Sequence, residues 1–205
     1  MLIRKAGEAD LRGVAQVHVD TWKATYRGIV PDEFLDSLSY ADSEARLRRY
    51  LKQIAAGSGD RIYVAESDDG QVAGIATGGK SRADHAPLSA EVKSVYVLPS
   101  HQRQGVGKRL IDALVTDLAS DGFSSVIICV LKENKNARRF YEGIGGQLAG
   151  KGLINIGGKD LEEVMYLWPD ISCLVARTAH PGITCDKDAA EFQGAGLLAQ
   201  GVGSR

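Results

Sequence analysis

A short stretch with two glycines begins a helix in the middle of the chain, and its composition suits an anion. It reads Gln102-Arg103-Gln104-Gly105-Val106-Gly107-Lys108 and follows an apolar strand that Pro99 ends. The first N–H groups of a helix have no partners within the helix and carry partial positive charge, so they attract anions. Arg103, Lys108 and Arg109 add positive charge that the helix dipole disfavours unless an anion binds. On these residues alone, a solvated turn stays open as the alternative.

Spacing argues against the two common nucleotide-binding loops. A dinucleotide-binding loop needs a third glycine, and Leu110 stands in its place. A P-loop needs four residues between its glycines and a Ser or Thr after the lysine. Here one residue separates Gly105 from Gly107, and Arg109 follows Lys108. A nucleotide-binding protein is therefore the weakest of the alternatives.

A second stretch contains a group that can donate a proton. It reads Asn134-Lys135-Asn136-Ala137-Arg138-Arg139-Phe140-Tyr141-Glu142-Gly143-Ile144-Gly145. A phenol has a pKa of about 10, so the Tyr141 hydroxyl stays protonated at neutral pH and can donate to a leaving thiolate. By position alone, an aromatic ring on the buried face of a helix explains Tyr141 better.

Together the two stretches resemble the GNAT superfamily of acetyl-coenzyme-A-dependent N-acetyltransferases. The first has the family pattern Gln/Arg-x-x-Gly-x-Gly/Ala, and the second has Asn-x-x-Ala-x-x-Phe-Tyr-Glu-x-x-Gly. The resemblance covers residues 1 to about 168. Members usually have Phe where this chain has Gly146, and that Phe is a packing residue, so the departure leaves the chemistry unchanged. The segment Trp22-Lys23-Ala24-Thr25-Tyr26-Arg27-Gly28 resembles one subgroup of the family.

The resemblance implies that acetyl-CoA is the cosubstrate and that no metal is needed. The pyrophosphate would lie on backbone N–H groups from Arg103 to Lys108, and the pantetheine arm would pair with the backbone of Val95 and Val97. The residues implied in coenzyme binding are Val95, Tyr96, Val97, Gln102, Arg103, Gln104, Gly105, Val106, Gly107, Lys108, Asn134, Ala137 and Tyr141.

Acetyl transfer to an amine needs a neutral amine, donors for the oxyanion and a proton for the thiolate. The resemblance implies Tyr141 as the acid and the Val97 N–H as the oxyanion donor. Glu91 is the predicted base, because many relatives place a glutamate acting through water at the start of this strand. A surface carboxylate is an equal alternative for Glu91. His85 and His18 are rivals because histidine titrates near neutrality.

The predicted reaction is direct transfer, in a ternary complex, to a polyamine-like small amine or a protein amino group. Trp22 and Tyr26, with Asp32 or Glu33, are candidates for binding a cationic amine through aromatic faces and carboxylates. Core packing is the alternative for this segment. A non-catalytic acetyl-CoA sensor or interaction module of the same fold is the alternative for the whole chain.

Periodicity places these residues on definite elements. Alternating or continuous apolar runs predict strands over 2–5, 61–66, 71–77, 91–98, 125–131, 147–154 and 161–168. Helices are predicted from about residue 7, from 32, and over 42–55, 107–120 and 134–144, with a polar loop at 78–88. This order predicts an α/β domain, and the resemblance implies the GNAT fold: a mixed, mostly antiparallel sheet of about 6–7 strands flanked by helices, with splayed central parallel strands.

Composition restricts the class of protein. The formal net charge is −1, which argues against a general binder of nucleic acid or membrane surfaces. No apolar run reaches the ~20 residues that span a bilayer, and no signal peptide is recognisable. With three cysteines, of which Cys129 is interpreted as a core residue, a cytoplasmic protein is expected. The acetyltransferase domain is predicted over 1–168 and a disordered or loosely packed tail over 169–205, and a homodimer is left open.

Overall fold

Seven strands form one mixed sheet in the computed structural model of the chain, which describes residues 1–82 and 89–176. The strands are β1 (Leu2–Lys5), β2 (Arg61–Glu66), β3 (Val72–Lys80), β4 (Ser89–Val97), β5 (Ser125–Leu131), β6 (Gln147–Ile156) and β7 (Lys159–Trp168). Their order is β1-β2-β3-β4-β5-β7-β6, and all neighbours are antiparallel except β4 and β5. The predicted mixed α/β sheet is confirmed.

Helices flank the sheet on both faces. They are α1 (Leu11–Tyr26), α2 (Asp32–Ser37), α3 (Tyr40–Ala55), α4 (Val106–Ser120), α5 (Lys135–Gly143) and α6 (Ser172–Ala176). Because side chains alternate along a strand, each central strand contributes to two cores. On β5, Val126, Ile128 and Val130 pack in the same core as α4, whereas Leu131 packs with Trp22 of α1. We call the second side of the sheet the Trp22 face.

The parallel strands β4 and β5 stay paired only at their beginnings. Ser89, Ala90 and Glu91 pair with Ser125, Val126 and Ile127. Beyond this point β4 continues to Val97 and β5 to Leu131 without pairing to each other. A gap therefore opens between them, which confirms the splayed central strands that the sequence predicts.

The predicted loop at 78–88 begins later than expected. β3 runs on to Lys80, because residues 78–80 pair with Ala90, Glu91 and Val92 of β4. The strand can use these backbone hydrogen bonds although its glycines weaken the local preference for a strand. His85, one candidate base, lies outside the described residues.

Folded structure also continues past the predicted domain boundary at 168. Helix α6 follows β7, and Ile171 and Leu174 are buried in the core beneath α4. The first part of the predicted tail is therefore packed, whereas 177–205 lies outside the described residues. In the described part of the chain, no helix is both long and apolar enough to cross a membrane.

Candidate active site

The glycine loop, residues 102–108, presents a row of free backbone donors at the start of α4. Gly105 precedes the helix with φ 77°, and Arg103 has φ 62°, both in the left-handed region. Alternating left-handed residues turn successive N–H groups toward one side. None of the N–H groups from Arg103 to Lys108 donates a hydrogen bond to another described residue. Six donors at a helix N-terminus suit a doubly charged anion such as a pyrophosphate.

Side chains of the glycine loop make contacts within the loop and with its neighbours, and these contacts stabilise the loop conformation. The Gln102 amide donates to the Val97 carbonyl oxygen at 2.9 Å, and the Gln104 amide donates to the Ser100 carbonyl oxygen at 3.0 Å. Lys108 pairs with Asp112 one turn further along the helix, at 2.6 Å.

The three basic residues at the start of α4 differ in whether their side chains already have a partner. Arg109 donates to the carbonyl oxygen of Met1 at 3.0 Å. Arg103 has no side-chain partner among the described residues and is exposed. Its guanidinium is therefore the basic group of the loop that is available to a ligand.

The edge of β4 toward the gap exposes backbone groups at alternate residues. The N–H of Leu98 donates to Ala73 of β3 at 2.9 Å, so the backbone of Leu98 points toward β3. Successive residues of a strand point their N–H groups to opposite sides. Val95 and Val97 therefore direct their N–H groups into the gap that β5 has left. These residues are the pair that the sequence predicts for pantetheine binding.

Helix α5 brings Asn134 and Tyr141 to the other side of the gap. Asn134 begins the helix: its side-chain oxygen accepts a hydrogen bond from the Ala137 N–H at 3.1 Å. Such a cap stabilises a helix start by about 1 kcal/mol. Phe140 lies next to Gly107 of the glycine loop. Tyr141 is 6% exposed.

Trp168 supplies the packing that is missing at Gly146. A side-chain carbon at Gly146 would lie 2.7 Å from the indole ring of Trp168 and 3.0 Å from the Tyr141 carbonyl oxygen. The indole N–H donates to the Ile144 carbonyl oxygen at 3.2 Å, and its ring meets Tyr141 edge-on at 6.4 Å. The tryptophan thus occupies the volume that a larger side chain at Gly146 would take, and it fixes the position of Tyr141.

Three tyrosine hydroxyls, from Tyr26, Tyr96 and Tyr141, come together where the gap meets the Trp22 face. Burial, and then the neighbouring hydroxyls of Tyr26 and Tyr96, raise the pKa of Tyr141 well above its usual value. Burial likewise raises the pKa of Tyr96 and of Tyr26, although a hydrogen bond from Asn134 opposes the rise for Tyr26. All three phenols therefore stay protonated at neutral pH and act as hydrogen-bond donors.

Trp22 forms the inner wall beside these hydroxyls. It is 6% exposed, and its ring lies 4.8 Å from Tyr26, 5.7 Å from His18 and 5.9 Å from Phe34, measured between ring centres. With so many aromatic neighbours, Trp22 offers little free ring face to a cation. Its indole N–H is buried and makes no hydrogen bond of good geometry with a described residue, but it lies toward the Tyr96 hydroxyl, where it opposes the rise of the Tyr96 pKa. Trp22 is thus placed to donate a hydrogen bond rather than to stack on an ammonium.

The carboxylates and histidine predicted for this region have different surroundings. Asp32 is mostly exposed and pairs with Arg27 at 3.1 Å, so it points away from the wall. His18 accepts or donates a hydrogen bond with Ser43 at 3.1 Å, and burial lowers its pKa to about 4. A histidine with that pKa is neutral at pH 7 and is a weak base.

Glu91 is buried at the point where β4 and β5 separate. Its neighbours Ala90 and Val92 face α4, so Glu91 faces the opposite side, the Trp22 face. Arg82 holds the carboxylate with its backbone N–H at 3.2 Å, with Nε at 3.0 Å and with Nη2. The predicted base therefore has an ion-pair partner that the sequence did not indicate.

Two further groups of the Trp22 face were not predicted to belong to the site. Cys129 is partly exposed there and does not lie within the core as interpreted, since Leu131 two residues later shares its side of β5. Burial, then Glu163 and Glu91, raise the pKa of Cys129 to about 12. Glu163 of β7 is partly buried. Neither has a local motif, because the sheet alone brings β4, β5 and β7 together.

Within the described residues, no three His, Cys, Asp or Glu side chains are grouped so as to hold a metal ion.

Comparison with known proteins gives consistent matches. The model of the acetyltransferase (GNAT) family matches residues 22–145. An uncharacterised N-acetyltransferase of Bacillus subtilis (strain 168) is 33% identical over 84% of this chain and 95% of its own length. A phosphinothricin N-acetyltransferase of Streptomyces viridochromogenes is 29% identical over 70% of this chain and 72% of its own length.

A solved structure shares the fold. It is a GNAT superfamily phosphinothricin acetyltransferase from Sinorhizobium meliloti in complex with acetyl-CoA. It superposes with a TM-score of 0.65, covers 82% of this chain and 88% of its own, and is 23% identical. At this identity the likeness bears on the fold alone.

Proposed function

Because the chain belongs to the acetyltransferase (GNAT) family, we propose that it moves an acetyl group from acetyl-CoA directly to the primary amine of a small acceptor. One observation carries the proposal. The free N–H groups of the glycine loop follow the unpaired edge of β4, and Tyr141 of α5 lies near Tyr96 of the same strand.

The coenzyme would enter along the side of the gap formed by α4 and α5. Its pyrophosphate suits the N–H groups from Arg103 to Lys108, with the free guanidinium of Arg103 beside them. Its pantetheine amides suit the exposed backbone of Val95 and Val97. The carbonyl of Val97 already accepts a hydrogen bond from Gln102, so the Val97 N–H is the group left for the coenzyme.

The thioester would then lie between the Val97 N–H and Tyr141. When an amine attacks the thioester carbonyl, the developing oxyanion can accept a hydrogen bond from the Val97 N–H. As the carbon–sulfur bond breaks, the thiolate takes the proton of the Tyr141 hydroxyl. Burial keeps the Tyr141 hydroxyl protonated until the thiolate forms, and the proton that the attacking nitrogen loses goes to the tyrosine oxygen as its own proton leaves.

Direct transfer is favoured over a covalent acetyl-cysteine intermediate. Cys129 is the free cysteine of the described residues, and the pKa of about 12 leaves it as a thiol at neutral pH. Only the thiolate is an effective nucleophile. Within the described residues, this leaves the amine to attack the thioester itself, in a complex that contains both substrates.

A small acceptor fits better than a protein amino group. The tip of the β6–β7 hairpin lies against α2, where Gly157 contacts Phe34. Lys159 at the start of β7 donates to the Ile29 carbonyl oxygen at 3.2 Å, so the hairpin closes one end of the Trp22 face. The relative that acts on phosphinothricin by name points to a small amine as well.

The experiment is a coenzyme A release assay with purified full-length chain, acetyl-CoA and a panel of amines. The panel contains phosphinothricin, amino acids, polyamines and short peptides. We expect release with a small amine and acetylation of that amine by mass spectrometry. If acetyl-CoA binds and no amine is acetylated, the chain is a coenzyme-binding module and the proposal is wrong.

A further inference from the structure

The carboxylate of Glu163 on β7 is not used by the chemistry described so far. Leu161, two residues earlier, packs with Trp22, so Glu163 points to the same Trp22 face. The side chain is partly buried and has no hydrogen bond or ion pair with the rest of the described chain. Leaving a carboxylate partly buried without a partner costs free energy, which a cationic ligand would recover.

The surrounding charges are already paired with one another. Arg82 holds Glu91 through its backbone and guanidinium, and Lys93 holds Asp60 at 2.6 Å. Of these groups, Arg82 and Glu91 act on the pKa of Glu163, and their opposite charges offset each other. The surplus is one negative charge, and it belongs to Glu163. The site is therefore complementary to a ligand group with a single positive charge.

Glu163 also lies close to the reacting end of the gap. It pairs across the sheet with Leu131, the last residue of β5. Side chains of directly paired residues lie about 5 Å apart. Leu131 packs against Trp22, and its carbonyl oxygen accepts the Asn134 N–H at 2.9 Å. A group bound at Glu163 is thus between the Trp22 wall and the residues proposed to hold the thioester.

We propose that Glu163 binds the ammonium group of the acceptor and takes the proton that the amine must lose before it attacks acetyl-CoA. This inference rests on the proposed function. Glu91 then has a different role from the predicted base. Because Glu91 already accepts hydrogen bonds from Arg82, it holds Arg82 in place and neutralises its charge beside the acceptor.

The protons balance in this scheme. The ammonium transfers one proton to Glu163 and becomes a neutral amine. Its nitrogen attacks the thioester carbon, and the carbon–nitrogen bond forms. The carbon–sulfur bond then breaks, and the thiolate takes the Tyr141 proton, which the second proton of the nitrogen replaces. The products are an amide, coenzyme A and a protonated Glu163, which releases its proton to solvent.

The environment of Glu163 suits a proton acceptor. Burial raises its pKa, Arg82 opposes the rise, and Glu91 adds to it. Cys129 is the other titratable group that faces it in the described chain. Burial lowers the pKa of an ammonium for the same reason that it raises that of a carboxyl. The attraction between the two charges acts in the opposite direction, so proton transfer is favoured to the extent that the bound acceptor excludes water from Glu163.

The test compares Glu163→Gln with the wild type, using an amine that the wild type acetylates. Removing a general base costs about 100-fold or more in rate, so we expect kcat/KM at pH 7 to fall by that order. The loss should shrink as the pH approaches the pKa of the amine, because the amine then arrives already neutral. Acetyl-CoA affinity should stay unchanged in the variant.

Glu162→Gln is the matched control. Glu162 is the adjacent residue on the opposite face of β7, is exposed and pairs with Lys132. Glu162→Gln should keep kcat/KM within about twofold of the wild-type value, as most surface substitutions do. The inference is overturned if Glu163→Gln keeps wild-type kcat/KM, or if its loss is the same at every pH. It is also overturned if Glu91→Gln shows the pH-dependent loss of kcat/KM and Glu163→Gln does not.

A second variant and a measurement on the wild type separate the possible causes of a negative result. If Glu163→Gln does not fold, Glu163→Asp replaces it: we expect a lower kcat/KM with the wild-type ionisation retained, and an unchanged kcat/KM would contradict the inference. If the wild type binds acetyl-CoA but acetylates no amine, the proposed function fails before the role of Glu163 is reached. The two failures are thereby distinguished.

Discussion

The glycine loop is built from backbone within one short segment, whereas the Trp22 face is built from side chains of several segments that are far apart in the chain. In the loop, the N–H groups from Arg103 to Lys108 are left without partners among the described residues, and Arg103 and Gly105 have left-handed dihedral angles. On the Trp22 face, the groups that meet come from α1, the residues before β4, β4, β5 and β7.

This difference affects how each region can change. A site made of backbone donors depends on conformation and tolerates many side chains, which suits a ligand that stays the same. A site made of side chains depends on identity at each position, so single substitutions alter what it binds. Acetyl-CoA binding at the glycine loop should therefore depend on backbone conformation. Acceptor binding at the Trp22 face should depend on the chemical group of each side chain.

The largest effect is expected from Tyr141→Phe, which removes one hydroxyl where the two regions meet. The substitution keeps the ring contacts with Trp168 and Tyr166, so the fold and acetyl-CoA affinity should be retained. Loss of an acid that protonates the thiolate should lower kcat by about 100-fold or more. Steady-state kinetics and isothermal titration with acetyl-CoA measure the two quantities. An unchanged kcat would remove Tyr141 from the mechanism.

A smaller effect is expected from Gly105→Ala, which changes conformation and adds no contact. The φ of 77° strains any residue with a side chain, and nothing lies within 4 Å of the added carbon. The strain should cost about 1–2 kcal/mol of stability and lower acetyl-CoA affinity by about tenfold, as the loop relaxes away from its donor geometry.

Gly122→Ala is the control for that prediction. Gly122 follows the other end of α4, has φ 90° and also has nothing within 4 Å. It should lose similar stability in urea unfolding while acetyl-CoA affinity stays at the wild-type value. Equal losses of affinity in both variants would mean that the glycine loop has no special part in binding.

The smallest effect on activity concerns His18, whose ring lies 5.7 Å from that of Trp22. Burial and then Arg46 lower its pKa from 6.5 to about 4, so the unfolded chain binds a proton between these pH values and the folded chain does not. Stability should therefore fall as the pH is lowered from 6.5 toward 4, by roughly 3 kcal/mol. His18→Gln should remove this part of the pH dependence of urea unfolding and leave the pH–rate profile unchanged. A normal His18 pKa by NMR would contradict this.

Periodicity predicted nearly all of the elements, because apolar spacing reports directly which side of a helix or strand is buried. The exceptions have tertiary causes. Residues 78–80 continue β3 because β4 lies beside them, and α6 packs because α4 leaves an apolar surface for Ile171 and Leu174. Neither cause can be seen in the local sequence.

Glu91 and Glu163 illustrate the same limit within the candidate site. Glu91 was singled out by its place before the glycine loop, but its partner Arg82 was not, because nothing in the spacing indicates that Arg82 turns back onto the strand. Glu163 has the same sequence signal as its exposed neighbour Glu162, since both are single carboxylates in a strand.

By itself, the sequence determined the features that depend on neighbouring residues: the strand, the glycine loop with its free donors, and the helix that carries Asn134 and Tyr141. The tertiary structure decided which distant side chains share a face, because strand order and register are set by the packing of the whole sheet. That is why the coenzyme half could be predicted from its motif, whereas the charge balance around Glu163 emerged only from the assembled β4, β5 and β7.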